Sequence, residues 1–161
     1  MSDEVRVGIG FDAHALTDGV PLVLGGVEFP GHRGLAGHSD GDVISHALVD
    51  AVLGAAGLGD IGWLFPSSDE RWQGSSSLVL VEHAWSVVAE RGWALVNADC
   101  ILIGEEPRIA PARDEMRARL AGALGVEPER VAVRATTTDR LGFTGRGEGL
   151  AAQAVALLRR A

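Results

Sequence analysis

Three residues near the start of the chain have the types and spacing of a metal site. Asp12 and His14 stand two residues apart, so in an extended segment both side chains point to the same face of a strand. His46, on a predicted helix, is the natural third ligand. One carboxylate and two imidazoles suit zinc or another divalent transition metal and leave a fourth position open. A short Asp-x-His can also be an ordinary surface pair; with His46 nearby, a catalytic metal centre becomes an equally good interpretation of the pattern.

The helix that carries His46 is predicted to begin with Ser39 or Asp40 as its cap and to end at Gly57. An aspartate precedes His46 by four residues, and Asp50 follows it by four, so all three lie on one stripe of the helix. Asp50 is either an acceptor that fixes the tautomer of the His46 ring or a carboxylate on the helix surface.

A second polar cluster follows the strand predicted over 130–135. Thr136, Thr137, Thr138 and Asp139 offer hydroxyls, backbone N–H groups and a carboxylate, which suit phosphate oxygens and a hard cation such as Mg²⁺. Threonine is also a common strand residue, so this run could be strand filler. The glycine-rich turn at 145–149 has no Gly-Lys-Ser or Gly-Lys-Thr, which excludes a P-loop NTPase.

Composition limits the class of protein. The chain has 161 residues, the length of one domain over 1–161, and its 47% hydrophobic content is sufficient for a sizeable core. A net charge of −8 argues against nucleic-acid or membrane partners. Cys100 is the lone cysteine and is predicted to be a buried strand thiol. The polar start and the lack of a membrane-length apolar run lead us to expect a cytoplasmic protein.

The remaining pattern predicts alternating strands and helices. Gly25 and Gly26 indicate a tight hairpin turn, and 58–74 is predicted to be a long flexible loop that orders on binding. Together the elements predict an α+β sandwich in which helices pack on one face of a mixed sheet. The predicted strands are 5–11, 94–103 and 130–135, and the predicted helices run from Ser75 or Ser76 to Arg91, from Pro111 to a stop at Gly125, and from the end of the 141–149 loop to Arg160.

Several separated blocks of this sequence carry a resemblance to a known family. They are 10–14 (Gly-Phe-Asp-Ala-His), 37–42 with His46, 58–62 (Leu-Gly-Asp-Ile-Gly), Phe65-Pro66, and 135–138 running into 141–149. Over nearly its whole length the chain resembles the 2-C-methyl-D-erythritol 2,4-cyclodiphosphate synthase family. The resemblance implies a ferredoxin-like sandwich assembled as a homotrimer, with each active site between adjacent subunits.

The implied activity is that of a phosphorus–oxygen lyase in non-mevalonate isoprenoid biosynthesis. The 2-phosphate of 4-diphosphocytidyl-2-C-methyl-D-erythritol 2-phosphate attacks the β-phosphorus, forming 2-C-methyl-D-erythritol 2,4-cyclodiphosphate and expelling CMP. Such a transfer needs alignment and charge neutralisation rather than a protein nucleophile. Two alternatives stay open: a metal-dependent phosphohydrolase that gives a linear product, and a non-catalytic module that binds isoprenoid diphosphates.

The resemblance also implies roles for individual residues. Zinc is held by the three ligands named above, Asp139 binds Mg²⁺ or Mn²⁺, and His38 and Thr137 stabilise the transition state. Phe143 and Arg146 line a central cavity that accepts an isoprenoid diphosphate.

The implied substrate contacts fall into three groups around the metals. Residues 60–62 hold the methylerythritol hydroxyls, 65–69 form a mobile loop over them, and 104–110 form the cytosine pocket. The full set is Asp12, Ala13, His14, His38, Ser39, Asp60, Ile61, Gly62, Phe65, Pro66, Ser67, Ser68, Asp69, Gly104, Glu105, Glu106, Pro107, Arg108, Ile109, Ala110, Thr136, Thr137, Thr138, Asp139, Phe143 and Arg146.

Some positions depart from the family's pattern. Asp139 stands where a glutamate is usual, Ser67 replaces a frequent aspartate, and Glu105-Glu106 adds negative charge to the implied cytosine pocket. Arg108 and Arg134 stand where lysine is common, which keeps the charge but changes the contact geometry. We interpret these departures as changes of affinity rather than of reaction.

Overall fold

A computed structural model describes residues 3–161, so Met1 and Ser2 of the predicted polar start lie outside the described residues. Strands and helices alternate along the chain, and three 3-10 turns lie between them at Glu70–Trp72, Ala110–Ala112 and Pro128–Arg130. The strands are β1 (Val5–Thr17), β2 (Val23–Leu24), β3 (Val27–Glu28), β4 (Gly34–Leu35), β5 (Trp93–Ile103), β6 (Val131–Thr136) and β7 (Gly149–Arg160). The helices are α1 (Val43–Ala56), α2 (Ile61–Leu64), α3 (Ser77–Glu90), α4 (Arg113–Leu124) and α5 (Gly142–Gly145).

Five strands form one mixed sheet in the order β4-β1-β7-β5-β6. β7 lies at the centre and is antiparallel to both β1 and β5, whereas β6 runs parallel to β5 at the edge. The helix α1 packs on β1 and β7, α3 packs on α1, and α4 contacts α3 and β6. These contacts confirm the predicted α+β class with helices packed on a mixed sheet.

The final segment is the main correction to the sequence analysis. The prediction of an apolar helix ending at Arg160 is wrong, because residues 149–160 form the central strand β7. Its alanines and leucines are good helix formers, but pairing on both sides outweighs that weak local preference. Ala152, Ala154 and Ala156 pair with the β1 residues that face α1, and all three alanines are buried. Small side chains at these positions let the helix lie close to the sheet.

Two glycines of β1 bring α1 into backbone contact with the sheet. A Cβ atom on Gly8 would lie 2.0 Å from the Ala51 carbonyl oxygen, and one on Gly10 would lie 1.8 Å from that of Ala47. No larger residue fits at either position while the helix keeps its place. Because Ala47 follows His46 directly, the same contact sets the distance between His46 and the ligands of β1.

The first turn of α1 differs from the prediction by two or three residues. Asp42, rather than Ser39 or Asp40, is the N-cap, and its carboxylate accepts a hydrogen bond from the Ser45 backbone N–H. The buried carboxylate also accepts from the N–H groups of Gly25 and Gly26, which form the predicted hairpin turn. One side chain therefore joins the helix to the hairpin. Gly57 ends the helix in the left-handed conformation, as predicted.

The other predicted helix boundaries agree well with the structure. Ser76 caps α3, Gly125 ends α4 in the left-handed conformation, and Pro111 lies in the 3-10 turn that leads into α4. Within residues 3–161, no helix is long and apolar enough to cross a membrane.

Candidate active site

The three predicted metal ligands meet on the helix-facing side of the sheet. Asp12 and His14 project from the same face of β1, and His46 reaches them from the first turns of α1. The Asp12 Oδ2 atom lies 2.7 Å from His14 Nε2 and 3.0 Å from His46 Nδ1. The two ring nitrogens are 3.2 Å apart. All the ligand atoms lie within 4.8 Å of one another.

Hydrogen bonds on the far side of each ring select the nitrogens that face the centre. His14 Nδ1 lies 2.6 Å from the Ala36 carbonyl oxygen, which can only accept, so Nδ1 carries the proton and leaves the Nε2 lone pair free. His46 Nε2 lies 2.9 Å from the hydroxyls of both Ser39 and Ser77, leaving Nδ1 to face Asp12. Two ring nitrogens that face each other in this way need a proton or a cation between them. The donor set fits a divalent transition metal.

The charges at the centre also favour a cation. Burial opposes ionisation of Asp12, but the close contact with the His14 and His46 rings outweighs it and lowers the pKa of this carboxyl to about 2. The hydrogen bond to Asp12 raises the pKa of His14 against the effect of burial. Asp12 is therefore an anionic ligand at any ordinary pH.

A cleft of about 200 Å³ opens beside the three ligands. It brings together much of what the sequence analysis assigned to the substrate, namely His38, Ser39, Ile61, Gly62, Phe65, Pro66, Ser67 and Asp69. Of the other predicted contacts nearby, Asp60 caps α2 by accepting a hydrogen bond from the Trp63 N–H, and Ala13 alternates to the opposite face of β1. Neither side chain lines this cleft.

Three further residues form part of the cleft wall, and none of them was predicted to be a site residue. Trp72, Gln73 and Leu80 also line it. The ring of Trp72 packs edge-on against Phe65, with centroids 4.8 Å apart, and lies 5.2 Å from the ring of His83. The predicted flexible loop is therefore partly ordered by aromatic packing and by α2. His83 is exposed and takes part in this packing.

Asp50 has a partner other than the one proposed for it. Its Oδ1 accepts a hydrogen bond of 2.8 Å from the Ile61 backbone N–H, whereas the ring nitrogens of His46 are occupied by Asp12 and the two serines. The reading of Asp50 as the acceptor that fixes the His46 tautomer is thus wrong. Burial raises the pKa of this carboxyl. Asp50 positions the start of α2, which contributes Ile61 and Gly62 to the cleft.

The second predicted cluster lies apart from the metal ligands within one chain. His14 of β1 pairs with Leu150 of β7. The next residue of β7, Ala151, pairs with Ile103 of β5, and Ile103 pairs in turn with Thr136 of β6. Three strand spacings of about 4.8 Å put Thr136 about 14 Å from the ligands of β1. The cleft beside the ligands is lined neither by 136–139 nor by 104–110.

The residues of the second cluster are nevertheless close to the predicted cytosine segment. The Glu105 carboxylate accepts a 2.8 Å hydrogen bond from the Arg140 N–H, and the Thr137 hydroxyl accepts from the Asp139 N–H. Asp139 and Arg140 both have positive φ, at 55° and 67°. Phe143 lies in α5, and Arg146 is the residue directly after it. The Nε atom of Arg146 lies 2.7 Å from the Oε1 atom of Glu148, so the two side chains form an ion pair.

The fold and the cluster of Asp12, His14 and His46 define an α+β protein with a candidate metal site that opens to a cleft. Residues 5–159 match the YgbB family, and the chain belongs to that family. It is 58% identical to 2-C-methyl-D-erythritol 2,4-cyclodiphosphate synthase of Rubrobacter xylanophilus over 97% of this chain and 96% of the relative. The predicted family resemblance is therefore confirmed.

Solved structures agree with this assignment. The bifunctional IspDF of Campylobacter jejuni superposes with a TM-score of 0.95 at 41% identity, over 99% of this chain and 43% of that longer protein. The complex of Plasmodium falciparum IspF with CDP superposes with a TM-score of 0.84 at 29% identity, over 99% of both chains.

Proposed function

We propose that this chain converts 4-diphosphocytidyl-2-C-methyl-D-erythritol 2-phosphate to 2-C-methyl-D-erythritol 2,4-cyclodiphosphate and CMP, in non-mevalonate isoprenoid biosynthesis. The observation that carries the proposal is the Asp12, His14 and His46 cluster. It opens to a cleft in a chain 58% identical over nearly its full length to a synthase of that name. The reaction is an intramolecular phosphoryl transfer, so the protein has to align two anionic phosphates and neutralise their charge.

The residues of the cleft divide these tasks between them. Asp12, His14 and His46 would hold zinc, which when bound supplies a Lewis acid for a phosphoryl oxygen, worth several kcal/mol. His38 of the cleft, together with Thr137 from an adjacent copy of the chain, is proposed to stabilise the charge of the transition state. The aromatic wall formed by Phe65 and Trp72 excludes water from one side of the cleft. Fixing the attacking phosphate in line with the β-phosphorus can contribute roughly 7 to 11 kcal/mol.

The second half of the site is proposed to come from an adjacent copy in a homotrimer of ferredoxin-like subunits. Asp139 would bind Mg²⁺ or Mn²⁺, Thr136 to Thr138 would contact the substrate, and the 104–110 segment would form the cytosine pocket. The separation of these segments from the ligands of β1 within one chain supports this arrangement. So does the outer face of β1, where apolar side chains are exposed, including Val7 at 67% and Phe11 at 56%. Burying such a face in an assembly is favourable.

A central cavity of that trimer would accept an isoprenoid diphosphate. Phe143 and Arg146 are both exposed, the first apolar and the second cationic, which is the pair of properties that such a ligand needs. Because Arg146 is paired with Glu148, binding a diphosphate would require that ion pair to rearrange.

The test is to mix the purified protein with the diphosphocytidyl substrate and Mg²⁺, with and without a chelator, and to identify the products by mass spectrometry. We expect CMP and the cyclic diphosphate, lost on chelation and in His46→Ala but retained in His32→Ala, which changes a histidine outside the ligand set. CMP with a linear phosphate would indicate the phosphohydrolase instead. Ligand binding without CMP would indicate the non-catalytic module, and light scattering would test the trimer.

A further inference from the structure

A buried hydrogen-bond chain runs from the metal-facing histidine to an acidic residue that lines no part of the cleft. The Ser77 hydroxyl lies 2.9 Å from His46 Nε2, and the same hydroxyl makes a short hydrogen bond to Asp40 Oδ1. Asp40 Oδ2 also accepts from the Ser77 backbone N–H at 2.9 Å. Ser77 is fully buried, with no exposed surface. From sequence patterns Asp40 was predicted only as an alternative helix cap, and Ser77 had no predicted role.

The direction of this chain follows from the chemistry of its last member. A carboxylate accepts hydrogen bonds and does not donate, so the Ser77 hydroxyl proton points to Asp40. The Ser77 oxygen then has only lone pairs for His46, and Nε2 must carry the ring proton. That assignment leaves the lone pair on Nδ1, the nitrogen 3.0 Å from Asp12. Ser39 accepts from the same Nε2, but its hydroxyl has no carboxylate to fix its direction.

From this geometry we infer that Ser77 and Asp40 are positioning residues for the metal centre. They hold the ring of His46 in one orientation and in the tautomer whose Nδ1 can bind a cation. Ser77 is the first residue of α3 and Asp40 lies in the loop before α1, so their hydrogen bonds also join these two segments. Packing of α3 against α1 is thereby coupled to the ligand geometry. The inference rests on the proposed function in one respect, that His46 binds zinc.

The test measures zinc binding directly, without turnover. Metal-free full-length protein is titrated with Zn²⁺ against a fluorescent chelator, and the His46 tautomer is read from the nitrogen NMR shifts of its ring. We expect Ser77→Ala to weaken zinc binding by about 10- to 100-fold, the range for partners that orient metal-binding histidines. Ser76→Ala is the matched control, since it removes the neighbouring hydroxyl that caps α3 but does not touch His46. It should bind zinc within twofold of the unchanged protein.

A second variant covers the case in which Ser77→Ala does not fold. Asp40→Asn keeps the side-chain volume, but its amide can donate to the Ser77 oxygen and turn the hydroxyl proton toward His46. The Nδ1–H tautomer should then increase and zinc affinity should fall. Unchanged zinc affinity and tautomer in the folded variants would overturn the inference and leave the proposed zinc site intact. Failure of the unchanged protein to bind one zinc per chain would overturn both.

Discussion

The contact between β1 and α1 makes the spacing of the metal ligands sensitive to a single methyl group. Gly10 precedes Asp12 by two residues on the same face of β1, and it meets α1 at Ala47, next to His46. In Gly10→Ala the new Cβ would lie 1.8 Å from the Ala47 carbonyl oxygen and 2.9 Å from the Ala51 nitrogen. Both are backbone atoms, so no side chain can rotate away to relieve the clash.

The size of the effect follows from these distances. Cβ atoms essentially never approach another heavy atom closer than 3.0 Å, so the strand and the helix must separate by at least about 1 Å. We expect the free energy of unfolding to fall by about 3 kcal/mol or more, the upper end for overpacked cores. Metal sites tolerate changes of about 0.2 Å in ligand distances. Zinc affinity should therefore fall by at least about tenfold.

Urea unfolding at a fixed protein concentration and zinc titration measure the two effects separately. The matched control is Gly122→Ala on the exposed side of α4, where a new Cβ meets no atom within 4 Å. The same chemical change should stabilise that helix by about 0.5 to 1 kcal/mol. If Gly10→Ala unfolded within about 0.5 kcal/mol of the unchanged protein and bound zinc equally well, the reasoning that this contact sets the ligand spacing would be refuted.

Three further predictions follow from single groups. Asp42→Ala should lower the free energy of unfolding by about 3 to 5 kcal/mol, because it leaves the buried N–H group of Gly25 and the partly buried N–H group of Gly26 without an acceptor; urea unfolding measures the loss. Burial raises the pKa of the Cys100 thiol to about 12, so a thiol reagent at pH 8 should modify Cys100 only after denaturation. His14 must lose its ring proton to bind zinc, and its pKa is raised above 6.5. Zinc affinity should thus decrease as pH falls through that raised pKa, by about tenfold per unit below it, in titrations between pH 6 and 8.

Each of these predictions has a contradicting result. Normal stability of Asp42→Ala would mean that the hairpin and α1 are held together by other contacts. Rapid labelling of Cys100 in the folded protein would show that β5 opens to solvent. Zinc affinity that does not change with pH would show that the pKa of His14 is not raised in solution.

Local patterns in the sequence were sufficient for much of the site. The two-residue spacing of Asp12 and His14 puts both on one face of any strand, and four residues span about one turn of any helix. Stop and cap signals such as Gly57 and Ser76 are also local. For this reason the cluster of candidate metal ligands, the hairpin, the C-terminal end of α1 and the cap of α3 were predictable before any tertiary contact was known.

What the tertiary structure alone decided depends on partners distant in sequence. The segment at 149–160 is a strand because β1 and β5 pair with it on both sides, although its alanines and leucines favour a helix by themselves. Asp50 binds the Ile61 N–H, and Ser77 of α3 reaches His46 of α1, only because the helices pack in one register. Spacing along the chain specifies which side chains share a face, whereas hydrogen bonds between elements depend on packing that no short stretch of sequence encodes.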